Sequence, residues 1–154
     1  MSSLADVQRE IARIVNEDEG IRRLGARAFA FDAGDIWAEE REWLAAGTGA
    51  VHVSVLTETG RYLGDADDGR GGRGIRLALK ATLVCTERPA LRQGLCGDAP
   101  PESTALAVAE ALALKFNDDQ IRFKRFVQDA DPDNGTISVA AEFETSATIT
   151  KQQG

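Results

Sequence analysis

Three groups of residues have types and spacings that could do chemistry. Gly69, Gly71 and Gly74 stand as G-x-G-x-x-G, the spacing of a loop that cradles a dinucleotide pyrophosphate. Such a loop works because a strand feeds in and a helix N-terminus points at the phosphates, whereas here the residues that follow alternate like a strand. No Gly-Lys-Ser or Gly-Lys-Thr occurs, so the Walker pattern fails too. A glycine-rich hairpin tip explains the spacing better, and Arg70, Arg73 and Arg76 suit contact with an acidic partner rather than a cofactor. Asp129, Asp131 and Asp133 have the odd-position spacing of a calcium loop, but Asn134 and Ala140 stand where that loop needs Gly and a bidentate Glu. An acidic turn is the plainer reading, and the same holds for Asp65, Asp67 and Asp68. His52 is the only histidine and alternates with Val51 and Val53, which predicts a surface or interface residue facing away from the valine side. With no second His, no cysteine pair at zinc spacing and no serine in a nucleophile elbow, metal hydrolysis and triad chemistry lack their residues. Glu39, Glu40 and Glu42 read as a solvated helix face. The expectation is a protein that is not an enzyme, with no cofactor and no metal site.

The elements that would position these residues are clearer than the chemistry. Apolar residues fall on every second position at Ile75, Leu77, Leu79, Ala81, Leu83 and Cys85, and again at Ile137, Val139, Ala141, Phe143, Ala147 and Ile149, the period of half-buried strands. Ser3 and Asp6 resemble a capping box, and Leu4, Val7, Ile11, Ile14 and Val15 make one helical stripe to about Asn16. Ile21, Leu24 and the run from Ala28 to Phe31 have poor periodicity and predict a weak strand or an irregular packed segment. Asp35 suits the N-cap of a second helix with Trp37 and Trp43 as anchors, ended by Gly47 and Gly49. Val51, Val53 and Val55 begin a strand over 51–57. Gly64 to Gly74 predicts a mobile hairpin tip within a flexible arm of about 60–74, leading to a strand over 75–86. After a loop through Cys96, Pro100-Pro101 precedes a helix over about 102–116 whose face is Ala105, Leu106, Ala109, Leu112, Ala113 and Phe116. Strands over 121–128 and 136–149 are joined by a turn ending in Asn134-Gly135. The order is α, α, β, β, α, β, β. The class expected is α+β, a mainly antiparallel sheet flanked by helices in a single domain over 1–150, with 151–154 as a tail.

Composition narrows the partners. At 154 residues and 43% hydrophobic, the chain can bury one sizeable core but not two comfortable ones. A net charge of -7 repels phosphate-rich partners, which argues against coating nucleic acid or attaching to anionic membranes. No apolar stretch approaches a membrane span and the N-terminus lacks a signal pattern, so a soluble, unexported protein is expected. Cys85 and Cys96 are expected to be reduced thiols, with a disulfide between them left open.

The stretch Thr86-Glu87-Arg88-Pro89-Ala90-Leu91-Arg92 closes a long alternating strand and precedes a loop and an amphipathic helix. It resembles a pattern in small tail proteins of bacteriophages, where a strand ends in an acidic residue and a short turn, followed by a helix and a final hairpin such as the strand through Phe143-Glu144-Thr145. The likeness covers roughly residues 50 to 150 and is one of pattern rather than of an exact motif. It is to the tail terminator or tail-completion group. The resemblance implies a compact α+β structural virion protein that forms a homo-oligomeric ring, commonly sixfold, capping the tail tube and joining it to neck or connector proteins. DNA would only pass through the lumen, and the protein would sit in the virion tail after assembly in the host cytoplasm, with no membrane contact. Arg70, Arg73, Arg76, Arg88 and Arg92 are the candidate interaction residues. The chain departs from the pattern in its long arginine-glycine loop. Strands with free edges and long hairpin arms fit a ring subunit, which must offer two different surfaces to its neighbours. The alternative is a cytoplasmic ligand-binding or regulatory α+β domain, whose mark would be an apolar cavity with converging polar groups.

Overall fold

A computed structural model describes residues 4–30, 51–67, 73–88, 104–133 and 135–150. In chain order these form α1 (Leu4–Glu17), α2 (Glu19–Arg23), β1 (Ala26–Ala30), β2 (Val51–Asp67), β3 (Arg73–Glu87), α3 (Thr104–Lys115), β4 (Arg122–Asp131) and β5 (Thr136–Thr150). The described strands make one sheet in the order β1-β2-β3-β5-β4. Every pairing is antiparallel except that of β1 with β2. The fold is α+β, as the alternation of its strands with helical stripes predicts.

The alternating apolar residues account for the register. Cys85 lies opposite Val139, Leu83 opposite Ala141, Ala81 opposite Phe143 and Leu77 opposite Ala147, so one face of the β3–β5 ladder is apolar except at Thr145, opposite Leu79, and Glu87, opposite Ile137. Val53 and Val55 extend that face onto β2, opposite Cys85 and Leu83. Onto it α1 turns Val7, Ile11 and Val15, and α3 turns Ala105, Val108, Ala109 and Leu112, all buried. Alanine at the contact lets the α3 backbone approach the sheet closely, while Phe143 fills the remaining space and takes Phe116 and Phe123 edge-on at 6.0 and 5.7 Å. Each Val, Leu or Phe sealed in this way is worth roughly 1.5–3 kcal/mol, so the shared face dominates the stability of the domain.

Several elements differ from expectation. The weakly periodic segment near residue 21 is a short helix, α2, followed by β1. Asp18 caps α2 by accepting from the Ile21 N–H at 3.0 Å, and its other oxygen accepts from Lys115 Nζ at 2.7 Å. Asn16 at the end of α1 bonds both backbone groups of Ala28, donating at 2.9 Å and accepting at 2.8 Å, which places a five-residue strand at the sheet margin. The strands run further into the arm over 60–74 than their periodicity predicts. β2 runs to Asp67 and β3 starts at Arg73, with Asp67 opposite Arg73 and Gly64 opposite Arg76, so the described parts of that arm pair as a ladder. The register shifts between Thr59 and Tyr62, where the backbones crowd: a Cβ on Gly60 would sit 1.7 Å from the Ala78 carbonyl oxygen. At the β4–β5 turn Gly135 has φ +64, the left-handed geometry that favours glycine. Ser3, the helix expected after Asp35 with Trp37 and Trp43, the glycines at 69 and 71, Asp68, Cys96, Pro100-Pro101, Asn134 and the tail over 151–154 lie outside the described residues.

Candidate assembly surfaces

The interaction arginines do not gather in one place. Arg73 and Arg76 lie at the start of β3, with Arg76 exposed, and Arg88 follows its far end. Twelve residues of extended chain separate Arg76 from Arg88, about 40 Å. Arg88 is half-buried, and its Nε is sealed from solvent without a hydrogen-bond partner. Arg70 and Arg92 lie outside the described residues.

The sheet margins are more informative. β1 covers β2 only as far as Val55. Among the described residues no strand pairs with that side of β2 from Leu56 onward, nor with the outer side of β4. Both stretches carry large exposed apolar side chains: Tyr62 and Leu63 on β2 are 56% and 40% exposed, and Phe126 and Val127 on β4 are 36% and 41% exposed. A monomer usually blunts such edges with charge, proline or a covering loop. The basic residues Arg122, Lys124 and Arg125 lie at one end of β4 and Asp129 and Asp131 at the other, leaving the apolar pair between them. The acidic turn is used locally, with Asp129 and Asp131 carboxylates accepting from the backbone N–H groups of Ala130 and Asp133. Among the described residues no three His, Cys, Asp or Glu side chains gather as metal ligands.

The second face of the sheet holds residues that alternation alone misplaces. His52 is not at the surface; it is fully buried, stacked on Phe29 at 4.6 Å with Arg27 over the far ring at 5.3 Å. Its Nδ1 is 3.3 Å from Ser54 Oγ and its Nε2 has no partner. Burial without a countercharge pushes the imidazole pKa down to about 4. Thr86 and Ser138 hydroxyls meet beside it at 3.4 Å. Further along this face Glu142 takes Lys80 at 2.6 Å and Arg125 from the adjacent strands, and the Arg125 bond followed by that of Lys80 holds its carboxyl below the usual range. Alternation in β2 does separate His52 from the valines, but the face it turns toward is closed as well. Cys85 is a free, buried thiol whose pKa burial pushes up to about 12, an inert core residue.

Two open grooves of about 570 and 580 Å³ meet at Asp119, Gln120, Thr145 and Ser146, one under α1 and the other against Gly60 and Lys80. Both are bordered by charged and amide groups and neither is an enclosed apolar pocket. No described helix is long and apolar enough to cross a membrane. No protein-family model matches the chain, and no curated protein is similar to it in sequence.

Proposed function

We propose that this chain is a structural subunit that joins copies of itself head to tail into a closed ring, of the kind that terminates a bacteriophage tail tube and connects it to the neck. The observation that carries the proposal is the pair of unlike sheet edges that no described strand covers, β4 on one side and the outer part of β2 on the other, each with exposed large apolar residues. Two different surfaces on one subunit give a heterologous contact, which closes into a ring when the rotation between copies divides a full turn. The resemblance of residues 50 to 150 to tail terminators supports the same reading, and a charge of -7 per subunit suits a lumen through which DNA slides without being held. Size-exclusion chromatography with light scattering, combined with negative-stain imaging in the presence of tail tubes, tests it. Rings that cap tube ends are expected; a persistent monomer that never caps a tube overturns the proposal.

A further inference from the structure

We infer that the groove of about 580 Å³ between the β2–β3 hairpin and the turn before β4 binds a small ligand by a phosphate group. The site lies within one copy and is independent of the ring reading. Two local features make the groove. At the register shift after Thr59, Gly60 contributes no side chain to the space beside Ala78 and Lys80. On the other side Asp118 accepts the N–H groups of Gln120 and Ile121 at 2.8 and 3.0 Å, so β4 joins the ladder only at Arg122. The Thr145 hydroxyl donates to the Gln120 carbonyl at 2.9 Å and holds that turn against β5.

Donors reach this groove from four strands: Arg61 from β2, Lys80 from β3, Ser146 from β5 and Arg122 from β4, with Gln120 added by the turn. Lys80 and Arg122 flank Glu144, each lying opposite it in the ladder. That carboxylate is taken by Lys124 at 3.1 Å, and Lys80 is engaged by Glu142 at 2.6 Å. Arg61 and Arg122 are exposed, and among the described residues neither guanidinium has an ion-pair or hydrogen-bond partner. Of the lining acids only Asp119 is likewise unpaired, so two free cations face one free anion in a chain whose net charge is -7. A carboxylate has two coplanar oxygens and is satisfied by one guanidinium fork. A phosphate offers tetrahedrally arranged oxygens and about two charges, which donors arriving from four strands suit better. No aromatic ring lines the groove, so a nucleobase would have nothing to stack on and the ligand is read through its phosphate. Exposed Glu58, opposite Lys80, and exposed Asp119 repel a polyanion that runs past the groove, which favours a small molecule over a nucleic-acid backbone.

Equilibrium dialysis of the full chain against inorganic pyrophosphate, at low ionic strength and without divalent metal, tests the site. Saturable binding is expected, and Arg61→Gln and Arg122→Gln should each weaken it about tenfold. Asp119→Asn should tighten it about threefold, a gain that a merely structural residue would not give. Arg76→Gln removes an exposed cation of the same sheet that does not line the groove, and it should leave the affinity unchanged. Melting curves confirm that each variant folds. Citrate, which carries its charge on carboxylates, and a short DNA duplex should both bind more weakly than pyrophosphate. Absence of saturable binding, or a loss in Arg76→Gln equal to that in Arg61→Gln, overturns the site. Tighter binding of citrate overturns the phosphate assignment, and tighter binding of the duplex overturns the small-molecule one. A chain that never assembles should still bind, so failure of the ring and failure of the site are read separately.

Discussion

His52 is sealed against Phe29 with one ring nitrogen unpartnered, so the fold holds it neutral while an unfolded chain lets it protonate near pH 6.5. With the folded pKa depressed to about 4, the unfolded state binds the extra proton between those two values, and stability must fall as pH drops through that window. The full effect is on the order of 3 kcal/mol, because each tenfold loss of proton affinity on folding is worth about 1.36 kcal/mol. Carboxylates held below their usual range, such as Glu142 by Arg125 and Lys80 and Asp18 by Lys115, keep their contribution until pH nears their unfolded values of 4.5 and 3.8. Urea midpoints measured between pH 7 and about 5.5 therefore isolate the histidine. A steady loss of stability is expected for the parent chain and a much flatter profile for His52→Leu. Equal slopes in the two proteins would show that the imidazole is not the group responsible.

At the scale of elements, the bulge in β2 makes the sharpest demand on a single residue. Gly60→Ala would drive a methyl group into the Ala78 carbonyl, which must move the β2 or β3 backbone and should cost roughly 1–3 kcal/mol, read as a shift in urea midpoint. Gly135→Ala meets no neighbour and carries only the strain of φ +64, about 1 kcal/mol, so the first variant should be the less stable of the two. What is legible in the residues follows the same physics. β3, β5 and α1 bury one clean stripe each, and period alone finds them. β1 is obscure because its inward residues are alanines and because Asn16, outside the strand, satisfies one of its margins. The last part of β2 reads as a loop since its polar and glycine residues have no period; a ladder imposed by β3 makes it a strand. In β4 the register shift at residues 123–125 breaks the alternation, so the positions of Phe126 and Val127 are unreadable without their neighbours. His52 is misplaced by its spacing because alternation assigns a side of a sheet and cannot say whether that side is covered.

For the whole molecule, the proposed ring must overcome a net charge of -7 on every copy, so cations at its contacts carry more weight than their number suggests. Arg70 falls in sequence between β2 and β3, and Arg73 opens β3. Guanidinium groups suit carboxylates of another copy or, in the proposed ring, of a tube or neck protein. The glycine-rich sequence around Arg70 and Arg73 brings few side chains for core packing, so their removal should leave the melting temperature nearly unchanged, within about ±0.5 kcal/mol of stability. Arg70→Ala with Arg73→Ala should instead weaken ring formation or capping of tail tubes. Light scattering over a concentration series separates these two effects: a raised midpoint places the arginines between copies, and an unchanged midpoint with reduced capping places them against the tube or neck. The contact would be sensitive to salt, because exposed ion pairs are screened over a Debye length of about 8 Å at physiological ionic strength. A double variant that unfolds the monomer, or one that assembles and caps as the parent does, would exclude the hairpin tip as a contact surface.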